Sequence, residues 1–163
     1  MFVLGHVGIG TRMLGPLRKR LPFWPLVVGC LLPDLIDKPL YYALPLFPGT
    51  RSIGHTGIFF LALLLAAAIA RRPWLWAVFA GVATHLALDI AGEIVTGGDP
   101  SSSIWLALFW PAFGARWPVA HFNSLLEHLA VTAQNAYNLV GEIVGGAILL
   151  HAWWRRRRER QSV

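Results

Sequence analysis

The chain has 163 residues, of which 56% are hydrophobic and 13% charged, with a formal net charge of +6. An ordinary soluble domain carries roughly 25% charged residues, and a fold of this size has too much surface to be so apolar in water. The composition therefore argues against a soluble enzyme, a disordered chain and a conventional nucleic-acid-binding module.

The mean hydropathy of +0.56 points instead to an all-α, polytopic membrane bundle. We read residues 1–154 as one integral-membrane helical domain and residues 155–163 as a basic tail. That tail holds five arginines and one glutamate, so it carries +4 of the +6. The basicity describes a topology anchor on anionic lipid better than a nucleic-acid face. Cys30 is the one cysteine. It has no internal disulfide partner and reads as a small buried apolar residue.

In chain order, residues 1–17 are apolar apart from His6, Thr11 and Arg12. The stretch is short for a span and fits a signal peptide poorly, because its basic residues follow the apolar run. Residues 21–47 are long enough to cross but carry Pro22, Pro25, Pro33, Pro39 and Pro45. A proline-broken helix is tolerated in a membrane where protein covers the freed backbone groups. Residues 53–70, 74–95 and 125–154 supply three more runs near the roughly 20 residues a crossing needs. The apolar stretch 104–113 is too short and reads as an interfacial or re-entrant segment. The expectation is four to five spans.

The basic clusters are Arg18-Lys19-Arg20, Arg71-Arg72 and Arg155–Arg158. The positive-inside rule places all three in the cytoplasm, and the C-terminus with them. Trp74, Trp76, Trp153 and Trp154 beside these clusters fit an interfacial aromatic belt.

Ionisable residues inside spans cost about 2.5–3.5 kcal/mol each on insertion scales. Those present here are histidines and carboxylates, the mixture that binds divalent metals. Asp34 and Asp37 sit three apart, on one face of a helix. His55 opens the next span. His85 and Asp89 sit four apart and stack on one helical face, and Glu93 continues their stripe. With Trp74 at the cytoplasmic surface, Asp89 lies about 23 Å in at 1.5 Å per residue. His55, Asp34 and Asp37 reach the same outer half of the bilayer. His6 joins them if the N-terminal stretch crosses or re-enters. Glu127 and His128 lie close enough in depth to complete a site, and Glu142 suits a partner on another helix. His121 reads as a loop residue and His151 as an interface residue.

The order of these pieces resembles the LexA-regulated, YdjM-type family of bacterial inner-membrane, metal-dependent hydrolases. The shared elements are Gly5-His6, Pro33-Asp34-Leu35-Ile36-Asp37, Arg51-Ser52-Ile53-Gly54-His55, His85 to Asp89, Gly97-Gly98 and Trp110-Pro111. Ile36 delays the second aspartate by one residue, Gly54 stands where the family has threonine, and Thr56 where it has serine. That family is distantly similar to the zinc-dependent phospholipase C and P1 nuclease group. The resemblance implies an inner-membrane location and a cluster of one to three zinc ions on His and Asp ligands. In that group the N-terminal amine is a ligand too.

The residues and the resemblance together suggest a divalent metal, most simply zinc, on His55, His85, Asp89 and Asp34. His6 and Asp37 would allow a second ion. Such an ion polarises a phosphoryl or carbonyl oxygen and lowers the pKa of water from 15.7 toward about 7. Arg51 suits a phosphate through its bidentate fork, and Asp37 or Glu93 suits a general base. A site in the outer leaflet suits a lipid or another phosphoester substrate. Two other readings use the same residues: an ion- or proton-coupled transporter, and a structural or interaction protein whose polar groups hold helices together. Ser101–Ser103 reads as a polar turn, since no nucleophile-elbow pattern surrounds it.

Overall fold

The computed structural model describes residues 3–161, and every regular element among them is helical. Seven α-helices follow in order: α1 (Val3–Met13), α2 (Phe23–Tyr42), α3 (Gly57–Ala70), α4 (Pro73–Thr96), α5 (Ile104–Leu108), α6 (Leu125–Gln134) and α7 (Ala136–Gln161). Short 3-10 turns lie at Gly15–Arg20, Ile53–His55 and Pro100–Ser102.

The all-α expectation holds, while the expected span boundaries change. α2 runs through Pro33 and Pro39 without a break. The run 53–70 starts as a 3-10 turn, and its helix begins only after Thr56, whose hydroxyl accepts from the Phe59 amide at 3.0 Å. The run 125–154 is two helices. Asn135 divides them because its side-chain oxygen accepts from the amides of Tyr137 and Asn138, at 2.9 and 3.4 Å, and so caps α7. Stretch 104–113 holds a helix of only five residues, followed by a turn with a cis Trp110–Pro111 bond. Among the described residues, α4 is the one helix long and apolar enough to cross a bilayer; α3 is apolar but only 14 residues long.

Two close helix crossings hold the bundle together. α2 meets α4 where Gly81 faces Leu26, Gly29 and Cys30: a Cβ on Gly81 would lie 2.5 Å from the Cys30 amide nitrogen. α1 meets α7 at Gly8, where a Cβ would lie 2.2 Å from the Gly145 carbonyl oxygen. Backbones approach this closely only where both partners are small, the packing used between helices in lipid. Val7, Leu26, Cys30 and Ala77 form one apolar core, and Val82, Leu86 and Ile104 a second.

The distribution of polarity is inverted. His6, Asp37, His55, His85 and Asp89 are buried, while Trp24, Leu61, Leu65, Ile69, Ile143 and Trp153 face outward. In α3 only Ala67 is buried. Phe23 lies under two guanidinium groups, those of Arg18 at 5.2 Å and Arg156 at 5.3 Å. The first and last basic clusters therefore share one end of the molecule.

Gly81→Val places its side chain against backbone that cannot rotate away. We expect it to cost more than about 2 kcal/mol, read as a lowered Tm of the purified protein. Gly146→Ala, whose Cβ meets only the tip of Leu4 at 3.4 Å, is expected to leave Tm unchanged.

Candidate metal centre

The tight crossing at Gly81 has a direct consequence one turn further along α4. It brings the His85 ring against α2, with Nδ1 2.8 Å from the Cys30 carbonyl oxygen. A carbonyl only accepts, so His85 Nδ1 carries the proton and Nε2 presents a lone pair. His55 is set in the same way by a different partner. Its Nδ1 lies 2.7 Å from Asp37 Oδ2, and a carboxylate likewise only accepts.

Asp37 is fully buried. It accepts from the Ser52 amide at 2.7 Å and the Gly54 amide at 2.8 Å as well as from His55. Three N–H donors offset the cost of burying that charge, and they wrap the turn Ile53–His55 around the carboxylate. The Gly54 backbone in turn lies against Pro33 of α2.

These two supports aim His55 Nε2 and His85 Nε2 at one another, 3.2 Å apart. Asp89 closes the group. Its Oδ2 is 3.5 Å from His55 Nε2 and 3.9 Å from His85 Nε2, and its Oδ1 is 3.5 Å from His6 Nε2. The His6 ring stacks on His85 with centroids 3.9 Å apart. It is buried, and its Nδ1 has no hydrogen-bond partner among the described residues. His6 reaches this point because Glu142 of α7 grips the start of α1: its carboxylate oxygens accept from the amides of Leu4 and Gly5 at 3.0 and 2.7 Å. A carboxylate there satisfies orphan donors and complements the helix dipole.

Two overlapping ligand sets result, His6/His85/Asp89 and Asp34/His55/His85, with the donor atoms of each within 4.8 Å of one another. The donor set fits a divalent ion on three counts. Tetrahedral zinc at 2.0–2.1 Å from nitrogen separates its ligand atoms by about 3.3–3.4 Å, close to the observed 3.2–3.9 Å. His55 and His85 each hand their other nitrogen to a carboxylate or a backbone carbonyl, as metal-bound histidines do. Two imidazole nitrogens facing one another at 3.2 Å need a metal ion or a proton between them, and this is the place an ion would take.

The remaining predicted residues take different places. Asp34 stands within the second set and also accepts from Lys38 Nζ at 2.7 Å. Asp37 lies outside both sets, with its oxygens occupied by three donors, so it positions His55. Arg51 reaches Asp89 and Glu93, each at 3.6 Å, and donates to the Ser102 carbonyl at 3.1 Å. The oxygens of Glu93 accept from the Ser103 hydroxyl and from the Ile104 amide; it is a strut between α4 and the start of α5. Glu127 accepts from the Asn123 amide at 2.7 Å and completes the N-terminal cap of α6. The Met1 amine, the further ligand implied by the resemblance, lies outside the described residues.

A cavity of about 370 Å³ opens beside the cluster; His6, Asp34, Arg51, His55 and Asp89 line it, as do His121 and His128. His128 Nδ1 lies 2.7 Å from the Tyr42 hydroxyl, and its ring stacks on Phe122 at 4.4 Å. Burial, reinforced by the nearby Lys38 ammonium, pushes His128 down to about 4, so the ring is neutral at pH 7. Glu142 finds the partner on another helix that the sequence suggests, in the first amides of α1; the Tyr42–His128 pair emerges only from tertiary packing, whereas the Ser124-x-x-Glu127 cap carries a legible capping-box pattern. Comparison of the chain with family models, with curated proteins and with solved structures finds no match in any of the three.

Asp37→Asn keeps the shape but offers one oxygen where three donors converge. We expect it to weaken zinc binding 10- to 100-fold, measured by competition against a chromophoric chelator. His85→Ala and Asp89→Ala each remove a ligand and are expected to abolish stoichiometric binding.

Proposed function

We propose that the protein is a membrane-embedded, metal-dependent hydrolase of the YdjM type, acting on a phosphoester in a lipid. The observation that carries this reading is the convergence of His6, Asp34, His55, His85 and Asp89 beside a cavity that also holds Arg51 and Lys38. Zinc bound by these residues supplies Lewis acidity at a phosphoryl oxygen and a water of lowered pKa.

The chain's own residues do the rest. Asp37 and the Cys30 carbonyl fix the two imidazoles. Arg51, steadied by Asp89, Glu93 and Ser102, presents a cation to a phosphate oxygen. Asp37 and Glu93 act as positioning residues, since their oxygens are already engaged by N–H and O–H donors.

The membrane setting is supported by outward-facing apolar side chains on α3, α4 and α7, an arrangement that water would penalise. In this reading α2, α4 and α7 cross a bacterial inner membrane. α1, which lies against α7, and α3 are partial passes, since their 11 and 14 residues reach only about 16 and 21 Å at 1.5 Å per residue. The shared position of Arg18 and Arg156 at one end supports a cytoplasmic location for the basic clusters and the tail. The competing reading, an ion-binding or transport protein, draws on the same buried carboxylates and histidines.

Elemental analysis of the purified full chain, paired with hydrolysis of a panel of phospholipids, tests the proposal. We expect at least one equivalent of zinc and turnover of one or more lipids, both lost in His85→Ala and Asp89→Ala. Bound metal without turnover favours the ion-binding reading; absence of metal from the wild type removes both.

A further inference from the structure

A polar cleft beside the ligand cluster continues into an apolar groove on the flank of the bundle. The cleft, of about 170 Å³, is lined by Arg51, Asp89, Glu93 and Asn138. The groove, of about 570 Å³, is lined by Ile9, Leu88, Val95, Val140 and Val144. Thr96, Asn135 and Tyr137 line both. On α4 the two surfaces are adjacent: Asp89, Gly92 and Glu93 border the cleft, while Leu88 and Val95 border the groove.

Tyr137 stands at the junction. Its hydroxyl donates to the Leu88 carbonyl at 2.7 Å. Its ring lies against Gly92, where a Cβ would come within 2.7 Å of it. The ring is thereby held against α4, and it borders both surfaces together with Asn135 at the joint between α6 and α7.

We propose that this groove holds an acyl chain of the phospholipid whose phosphoester lies at the His/Asp cluster; the inference rests on the hydrolase reading above. Continuity and polarity select the occupant. An amphiphile has a polar end for a cleft with Arg51 and an apolar end for a groove of valine, leucine and isoleucine, and Thr96, Asn135 and Tyr137 border both. A soluble phosphoester has no use for the groove, and a second protein chain has no use for the shared lining at Tyr137. The enzyme therefore discriminates by chain length: the groove supplies affinity for long-chain lipids only.

The test uses phosphatidylglycerol, phosphatidylethanolamine and phosphatidic acid, each with 16-carbon and with 4-carbon chains, on the zinc-loaded full chain. Val140→Trp and Val144→Trp fill the groove without touching the ligands. We expect each to lower kcat/KM for the 16-carbon lipid at least tenfold, to change it less than twofold for the 4-carbon lipid, and to leave zinc content intact. Equal effects on both chain lengths, or no effect on the longer, overturn the groove assignment. No hydrolysis of any lipid by the wild type overturns the hydrolase reading instead. A second readout needs no turnover and no variant. The same 16-carbon lipids carrying a chain-end diazirine are photocrosslinked to the wild type in nanodiscs, and the adducts are mapped by mass spectrometry. Labelling of Val95, Val140 or Val144 above that of the outward-facing Leu61 and Leu65 of α3 supports the groove; labelling no higher than α3 overturns it.

Discussion

His55 Nε2 and His85 Nε2 face one another at 3.2 Å, and each ring has its opposite nitrogen already committed, one to Asp37 and the other to the Cys30 carbonyl. Asp89 faces both nitrogens with a carboxylate oxygen, which adds negative charge at the same point. With neither a metal ion nor a proton between them, several buried lone pairs would oppose one another and the arrangement would be unfavourable. With a metal ion, the same arrangement becomes a ligand set supported on its outer side by hydrogen bonds. The polar interior of this small bundle makes physical sense around a positive charge.

Holding that geometry requires backbones to approach closely. His85 reaches the Cys30 carbonyl because Gly81, one turn earlier on α4, lets α4 sit against α2. His6 reaches Asp89 because Gly8 and Gly145 let α1 lie on α7, and because Glu142 grips the first amides of α1. The glycines act at a distance from the cluster, through the depth to which each helix can settle. In a membrane this packing replaces the hydrophobic effect as the force that joins helices. The apolar side chains are left free to face outward, as those of α3 do.

Much of the cluster was legible in the sequence for reasons of helical geometry. The four-residue spacing of His85 and Asp89 places both on one face, and the structure brings their donor atoms to 3.9 Å. Asp34 and His55 followed from their depth in neighbouring apolar runs. His6 was tied to a crossing or re-entrant N-terminus, whereas a short helix clamped by Glu142 suffices. The positioning role of Asp37 was not legible, because it depends on how residues 52–55 fold back over α2; spacing from Asp34 alone suggested a second ligand. The long run 125–154 misled for a local reason. Hydropathy does not register that Asn135 can cap a new helix, and so a continuous apolar pattern conceals a break. The all-α class was plain from composition. The number of crossings was not, since α1 and α3 are shorter than their apolar runs.

The central claim is that His55 and His85 together hold one cation, with Asp89 beside them. X-ray absorption at the zinc edge of the metal-loaded full chain tests this most directly. The account predicts a four-coordinate nitrogen and oxygen shell at about 2.0–2.1 Å, with the outer-shell scattering of at least two imidazoles. That imidazole signal should fall by one ring in His55→Ala loaded at excess zinc, while His85→Ala should retain no stoichiometric zinc. A shell lacking imidazole scattering, or one unchanged in His55→Ala, would contradict it.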